Sequence, residues 1–365
     1  GVGVCMPLIL IIAAFAALVG SGGSPRASIC MGKGEHDTAE KILTGCLSLQ
    51  IIVSIILTVI LLIWNENLLL MFGASENTIS YATAYMNIYA IGTIFVQITL
   101  GMNTFITAQG KAITGMMTVL IGAVANIILD PMIIFGIGPF PELGIAGAAL
   151  ATVIAQAFSA FYCFLIVRKI EIVHTDRDDF AKVPGLNRKL FGLGAPILFQ
   201  DVIISVGGLA VQFVINGYGF LFVAGFTATN KLYGVLEMAA ISYGYAVVSY
   251  VGQNLGAGEI TRIKKGVHAS SFLAFLTSAF ISIVMFLFGK TLLSMFISGD
   301  PEQTSQVLAI AWHYLSIMAS CLCILYFLYV YRSALQGLGN TMIPMLSGVV
   351  EFFVRVGVAL LLPKL

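Results

Sequence analysis

Ten long apolar stretches run through this 365-residue chain, and they constrain its fold more than any other feature of the sequence. About 20 apolar residues in a helix cross the roughly 30 Å of hydrocarbon in a bilayer. Every backbone polar group there must be paired within the protein, so only helices and closed barrels can cross. The sequence therefore predicts an all-α polytopic membrane protein. The predicted spans are 1–23, 43–70, 78–109, 113–136, 144–168, 189–216, 222–254, 266–296, 304–336 and 341–362.

The composition supports lipid as the solvent. Apolar and aromatic residues make up 59% of the chain and charged residues 10%, whereas a soluble domain has roughly 25% charged residues. The 18 Lys and Arg nearly balance the 17 Asp and Glu, so net charge gives no indication of nucleic acid, and we expect none as a partner. The six cysteines lack zinc or redox spacing, so we expect no disulfide framework and no metal site among them. We expect a monomer in the lipid bilayer.

The connecting loops alternate in charge along the chain. One side has few basic residues, Lys290 and Lys364, together with several acids. The other side is basic: Arg26, Lys33, Lys41, Lys111, Arg168, Lys169, Arg177, Lys182, Arg188, Lys189, Arg262, Lys264, Lys265 and Arg332. The basic side is cytoplasmic by the positive-inside rule. This predicts a multi-pass protein of the cell (inner) membrane with the charged 169–188 linker in the cytoplasm.

An internal repeat predicts the architecture. The segment Met31–Glu35 is similar to Leu255–Glu259 at a shift of 224 residues, and Gln109-Gly110 matches Gln336-Gly337 after a three-residue insertion. An even number of spans separates the copies, so both have the same orientation and form parallel repeats. We predict two pseudo-symmetric six-helix lobes, residues 1–180 and 181–365. The register also implies that the first and last of twelve spans are absent from this sequence, which begins at Gly1 inside an apolar run.

Several segments resemble motifs of the MATE (multidrug and toxic compound extrusion) family. They occur in family order over essentially the whole chain. They are residues 24–35 (SPRASICMGKGE), 108–111 (AQGK), 126–131 (NIILDP), 143–152 (LGIAGAALAT), 250–259 (YVGQNLGAGE) and 335–340 (LQGLGN). The resemblance implies family helices 2–6 and 7–11. It also implies a V-shaped, two-lobe exporter that alternates between outward- and inward-open forms and exchanges sodium ions or protons for organic cations. We expect no cofactor apart from this coupling ion, Na⁺ or H⁺.

Charged residues within apolar spans are the candidate functional groups, because each costs about 2.5–3.5 kcal/mol on insertion scales. When the charged residues near the span ends are set aside, six remain: Asp130, Asp201, Lys231, Glu237, Glu351 and Arg355. Glu351 and Arg355 are four residues apart on one helix face, which favours an intrahelical pair. Asp201, Glu237 and Glu351 all fall near mid-membrane when counted from their loops, which indicates a cation or substrate site. The alternative is that these charges only pair and fix helix packing. Lys231 lies nearer the outer end and is expected to reach the interface.

Asp130 is the most informative of these residues. Asn126 is one helical turn away on the same face, and Pro131 removes a backbone N–H and loosens the helix at Ile127. A carboxylate, an amide oxygen and a freed carbonyl suit a sodium ion, and the carboxyl can also hold a proton. Thr152 lies at comparable depth across the 137–143 loop. The family resemblance implies a cation site of this Asn-x-x-x-Asp kind, completed by an aspartate on the absent first helix. Alternatively, the carboxyl caps a proline-broken helix.

Three polar residues of the preceding span, Asn103, Gln97 and Tyr85, are cavity candidates. Asn103 lies much closer to the cytoplasmic loop than Asp130 does, so we expect no direct contact between the two. It could line a cavity or form a helix–helix hydrogen bond.

Other functions have less support. The sequence has no His-Glu-x-x-His, Gly-x-Ser-x-Gly or P-loop motif, so we expect no enzyme of these classes. The alternative function is a lipid-linked saccharide flippase of the same superfamily. Such a cavity should carry several basic residues within the spans to neutralise pyrophosphate. With only Lys231 and Arg355 counted against four acids, the balance favours an antiporter of organic cations.

Overall fold

The computed structural model describes residues 2–72, 74–169, 186–297 and 299–361. All regular secondary structure in these ranges is α-helical. The helices are α1 (Val2–Gly32), α2 (His36–Met71), α3 (Glu76–Ile91), α4 (Thr93–Ala108), α5 (Ala112–Ile134), α6 (Gly144–Lys169), α7 (Leu186–Asn216), α8 (Phe220–Gly256), α9 (Ile260–Ser294), α10 (Pro301–Gly337) and α11 (Met342–Leu361). The predicted all-α polytopic fold class is confirmed.

The predicted span 78–109 is broken rather than continuous. Within the described ranges nine helices are long and apolar enough to cross a membrane, and α3 and α4 make a tenth if they count as one span bent by 55°. The bend lies at Gly92, where an added Cβ would approach a Val153 methyl of α6 to 2.4 Å. A glycine that allows a neighbouring helix so close also weakens helix continuity, which explains the break.

The end of α1 also differs from the prediction. The span was expected to end at residue 23, but the helix continues to Gly32 with Pro25 inside it. Residues 24–32 of the predicted cytoplasmic motif are therefore helical.

The described structure separates into two compact units, Gly1–Leu198 and Phe199–Leu365, and the division falls within α7. The predicted lobe boundary at 180/181 and most of the 169–188 linker lie outside the described residues. We describe the two units separately.

Local geometry follows the 224-residue repeat at the turns after α1 and α8. Gly34 has φ of 76° and Gly258 has φ of 75°. Glu35 and Glu259 precede the next helix with nearly the same dihedrals, φ −84° and ψ 63° against φ −87° and ψ 64°. At the turns after α4 and α10, however, the positive-φ glycines are Gly110 and Gly339. The predicted pairing of Gly110 with Gly337 is two residues short there, because α10 continues through Gly337.

Each unit has its own buried core. In the N-terminal unit one apolar cluster joins α1, α2, α4 and α6 with the start of α7, and a second joins α1, α2, α3, α4 and α6. In the C-terminal unit one cluster joins α8, α9 and α10. The α1–α7 contact is a close backbone approach: a Cβ at Gly194 would lie 2.2 Å from the Leu18 carbonyl oxygen, and one at Gly22 would lie 2.8 Å from that of Leu190. Small residues permit such packing in membranes.

We expect Gly194→Ala to destabilise the N-terminal unit by about 1–3 kcal/mol, because the added methyl cannot displace a backbone carbonyl and the two helices must separate. The measurement is the melting temperature of the purified protein in detergent. Gly192→Ala is the matched control, since a Cβ at Gly192 meets no atom within 4 Å. Equal melting temperatures for the two variants would contradict this account of the contact.

Candidate functional site

Close packing of α5 against α6 positions the predicted site in the N-terminal unit. A Cβ at Gly122 would lie 2.3 Å from the Ser159 hydroxyl, and one at Gly147 would lie 2.6 Å from the Ile133 carbonyl. Ser159 donates a hydrogen bond of 2.7 Å to the Thr118 carbonyl across the same interface. The two helices can therefore bring side chains of one within hydrogen-bond distance of the other.

Asn126, Asp130 and Thr152 lie together at this interface. The Asn126 amide donates to the Asp130 carboxylate at 3.1 Å and approaches the Thr152 hydroxyl at 3.5 Å. Thr152 donates in turn to the Ala148 carbonyl at 2.9 Å. Asn126, Asp130 and Thr152 are each half-buried. The structure thus brings together the three residues that the sequence predicted as a cation site.

No basic residue in the described ranges forms an ion pair with Asp130. Pro131 follows it inside α5 and leaves the Ile127 carbonyl without its usual N–H partner. The observed Asn126 rotamer points its N–H₂ group at the carboxylate, and a half-turn of that amide would present its oxygen instead. The cluster can therefore offer oxygen ligands to a hard cation, or hold a proton on the carboxyl.

Of the three cavity candidates, only Tyr85 adjoins this cluster. Its side chain is buried, interacts with Thr152 and lies within range of the Asp130 charge. Gln97 is fully buried and donates to the Ile12 carbonyl of α1 at 2.9 Å. Asn103 donates to the Gly115 carbonyl of α5 at 2.7 Å. Gln97 and Asn103 therefore join neighbouring helices, and neither bonds to Asp130.

A second polar cluster lies in the C-terminal unit. Glu351 binds two arginines: its Oε2 is 2.9 Å from Arg332, and its Oε1 is 2.5 Å from Arg355. Arg332 also donates to the Ser347 hydroxyl at 2.6 Å. The predicted intrahelical pair of Glu351 and Arg355 is present, as one half of a larger arrangement.

The prediction for Arg332 was wrong. It was assigned to the basic cytoplasmic loops, but it lies inside α10 and is 8% exposed. A charge buried to that extent needs a partner, which Glu351 of α11 supplies. The sequence contained a signal that could have found it, because the predicted span 304–336 already included Arg332. The count of basic residues within the spans therefore rises from two to three.

The remaining predicted residues of this unit differ in their surroundings. Glu237 of α8 is half-buried and accepts a hydrogen bond of 2.8 Å from the Tyr329 hydroxyl of α10. Asp201 of α7 is exposed and lies within range of the Arg332 charge, and its own charge reaches the Tyr245 hydroxyl. Lys231 is exposed on α8. The residues that the sequence did not single out are Tyr329, Arg332 and Ser347.

Curated relatives align with most of the chain. A probable multidrug resistance protein of Bacillus subtilis (strain 168), YoeA, is 27% identical over 296 residues, which are 80% of this chain and 64% of that protein. An FAD transporter of Shewanella oneidensis is 27% identical over 297 residues, 81% of this chain and 66% of that protein. The chain therefore spans somewhat less than two thirds of the length of these relatives.

The fold is also that of solved transporters. A MOP superfamily transporter from Pyrococcus furiosus superposes with a TM-score of 0.90 at 20% identity, over 98% of this chain and 79% of that one. A model of the MatE family matches residues 1–132 and 196–361. Because these residues make up more than half of the sequence, and because the fold agrees, this chain belongs to the MatE family of membrane proteins.

Proposed function

We propose that this chain forms the core of a secondary transporter that exports small organic compounds across the cell membrane in exchange for sodium ions or protons. The observation that carries the proposal is the cluster of Asn126, Asp130 and Thr152, a carboxylate with polar neighbours and no basic partner in the described ranges. The multidrug resistance name of the Bacillus subtilis relative supports export of organic compounds. In this proposal the protein acts as a monomer, and the 169–188 linker faces the cytoplasm.

The chemistry of Asp130 supplies the coupling in this proposal. Removal from water favours its neutral, protonated form, whereas a bound sodium ion favours the ionised form. Cation binding and protonation therefore oppose each other at one group. Coupling to export further requires that the ion and the organic substrate prefer different arrangements of the protein, because equal affinity for both arrangements shifts no population.

We further propose that organic cations are substrates and that Asp201 and Glu237 attract them. Glu351 is already shared by two arginines, whereas neither of the other two acids has an ion-pair partner among the described residues. Counting Arg332 adds one basic residue in support of a lipid-linked saccharide flippase. The candidate residues within the spans still include four acids and three bases. Counterflow in proteoliposomes, with organic cations and lipid head groups in parallel, distinguishes the two functions.

We expect Asp130→Asn in the intact protein to reduce ion-driven efflux to below about a tenth of the wild-type rate. The reason is that an amide neither ionises nor binds a proton near neutral pH. Efflux of an organic cation is measured in proteoliposomes with an imposed sodium gradient and, separately, with a proton gradient. Glu142→Gln is the control, an exposed carboxylate in the loop that joins α5 to α6. An Asp130→Asn protein that pumps at the wild-type rate would make the residue structural and refute the ion site.

We expect Asp201→Asn to raise the organic-cation concentration at half-maximal efflux about tenfold. This corresponds to about 1.4 kcal/mol of lost attraction. Initial rates of ethidium efflux at several concentrations give this value. Glu302→Gln removes an exposed carboxylate from the first turn of α10. It should leave the concentration at half-maximal efflux unchanged. If both variants behave as wild type, Asp201 does not contribute to cation recognition.

A further inference from the structure

An apolar pocket of about 600 Å³ lies in the C-terminal unit between α7, α8 and α10. This volume is within the range of pockets that hold small organic molecules. Its walls are largely aliphatic, with four rings among them: Phe222, Phe226, His313 and Tyr314. Phe226 and Tyr314 stack with centroids 5.2 Å apart and planes at 28°. Such a wall favours a flat aromatic body, because aromatic rings stack on one another.

Arg355 lies next to this pocket, beside the α7 residues that precede its lining. Val211 and Ile215 of α7 line the pocket, and Gly207 is the next residue on the same helix face, one turn or about 6 Å along the axis. The Arg355 side chain lies beside Gly207, 3.9 Å from the position of an added Cβ. Its charge also reaches Tyr314 of the pocket wall. The guanidinium and the apolar pocket are therefore neighbours.

Positive charge at Arg355 is incompletely neutralised. One carboxylate, Glu351, serves two guanidinium groups, so the three side chains carry a net charge of +1. Arg332 is the buried member and is fixed on both sides by Glu351 and Ser347. The Arg355 side chain is 43% exposed, and among the described residues only Glu351 accepts from it. A guanidinium has five N–H donors, so most of its donors remain available to a ligand.

We propose that Arg355 and this pocket form a binding site for an organic anion with an aromatic body. The ring system occupies the pocket, and a carboxylate or phosphate of the ligand accepts hydrogen bonds from Arg355, which suits the planar fork of that side chain. Glu351 holds the guanidinium in place, and Arg332 compensates Glu351. The role of this site in export rests on the proposed transport function, whereas binding itself requires no ion gradient.

The neighbouring acids make the site sensitive to ligand charge. Asp201 lies within range of the Arg332 charge, Glu237 and Arg355 both act on Tyr233, and Tyr329 donates a hydrogen bond to Glu237. Removing the charge of Asp201 should strengthen anion binding, and removing that of Arg355 should weaken it. Opposite changes in anion affinity in these two variants indicate an electrostatic site. Loss of the fold would instead lower the affinity for every ligand.

The test is binding of fluorescein, a xanthene anion, to the intact protein in phosphatidylcholine nanodiscs, measured by fluorescence polarisation. We expect Arg355→Gln to raise the dissociation constant of fluorescein about tenfold or more, since one charge-assisted contact is lost. Rhodamine 123 has a related ring system and a positive charge, and its affinity should be unchanged or higher in the same variant. Lys231→Gln, which removes an exposed basic residue of α8, should affect neither dye.

A second variant tests the pocket without touching the charges. Ala309 is exposed in the pocket wall, so the indole of Ala309→Trp should fill the pocket and lower the affinity for fluorescein. The melting temperature should stay near that of the wild type. The proposal is overturned if Arg355→Gln leaves fluorescein affinity unchanged or weakens both dyes equally. It is also overturned if phosphatidylglycerol in the nanodisc displaces fluorescein, because the site then binds lipid. None of these results affects the efflux test at Asp130.

Discussion

The structure depends on one constraint: a polar group surrounded by hydrocarbon must find its partner within the protein. Several buried polar side chains meet it by donating hydrogen bonds to backbone carbonyls of neighbouring helices. Gln97 donates to Ile12, Thr229 donates to Ala311 at 3.0 Å, and the Tyr326 hydroxyl donates to Leu236 at 2.9 Å. Each bond requires the two helices to lie close and in one register. Glycines at the crossings, such as Gly122 and Gly147, make that approach possible.

Span positions and fold class could be predicted from the sequence because lipid crossing requires a minimum apolar length. Most features that depend on contact between helices distant in sequence could not. The bend at Gly92 arises where Val153 of α6 packs against it, and a continuous apolar run gives no sign of this. Nor does the linear pattern separate a basic residue that ends a span from one that is buried. Arg332 belongs to the second kind because Glu351, nineteen residues later, faces it from another helix.

The predicted site residues divide by the range of the interaction involved. Asn126 and Asp130 are one helical turn apart, so their contact follows from helix geometry alone. Thr152 needed only a short loop, which returns α6 beside α5. By contrast, Glu237 and Glu351 were predicted as members of one site from depth alone. The structure gives them different partners, Tyr329 and the two arginines. Depth along a helix does not determine which way a side chain points.

The two polar clusters differ in how freely their charges can change. Protonation of Glu351 would remove the ion-pair partner of two neighbouring guanidinium groups, one of them buried, and this is costly. Protonation of Asp130 breaks no ion pair among the described residues and removes a charge that the surroundings do not neutralise. A carboxylate that can gain and lose a proton or a cation cheaply suits ion exchange, whereas a charge fixed by its partners suits recognition of a ligand. Under the proposed function, ion coupling would therefore reside in the N-terminal unit, and charged substrates would be discriminated in the C-terminal unit. Substrate specificity could then change through residues such as Arg355 without loss of the coupling ion.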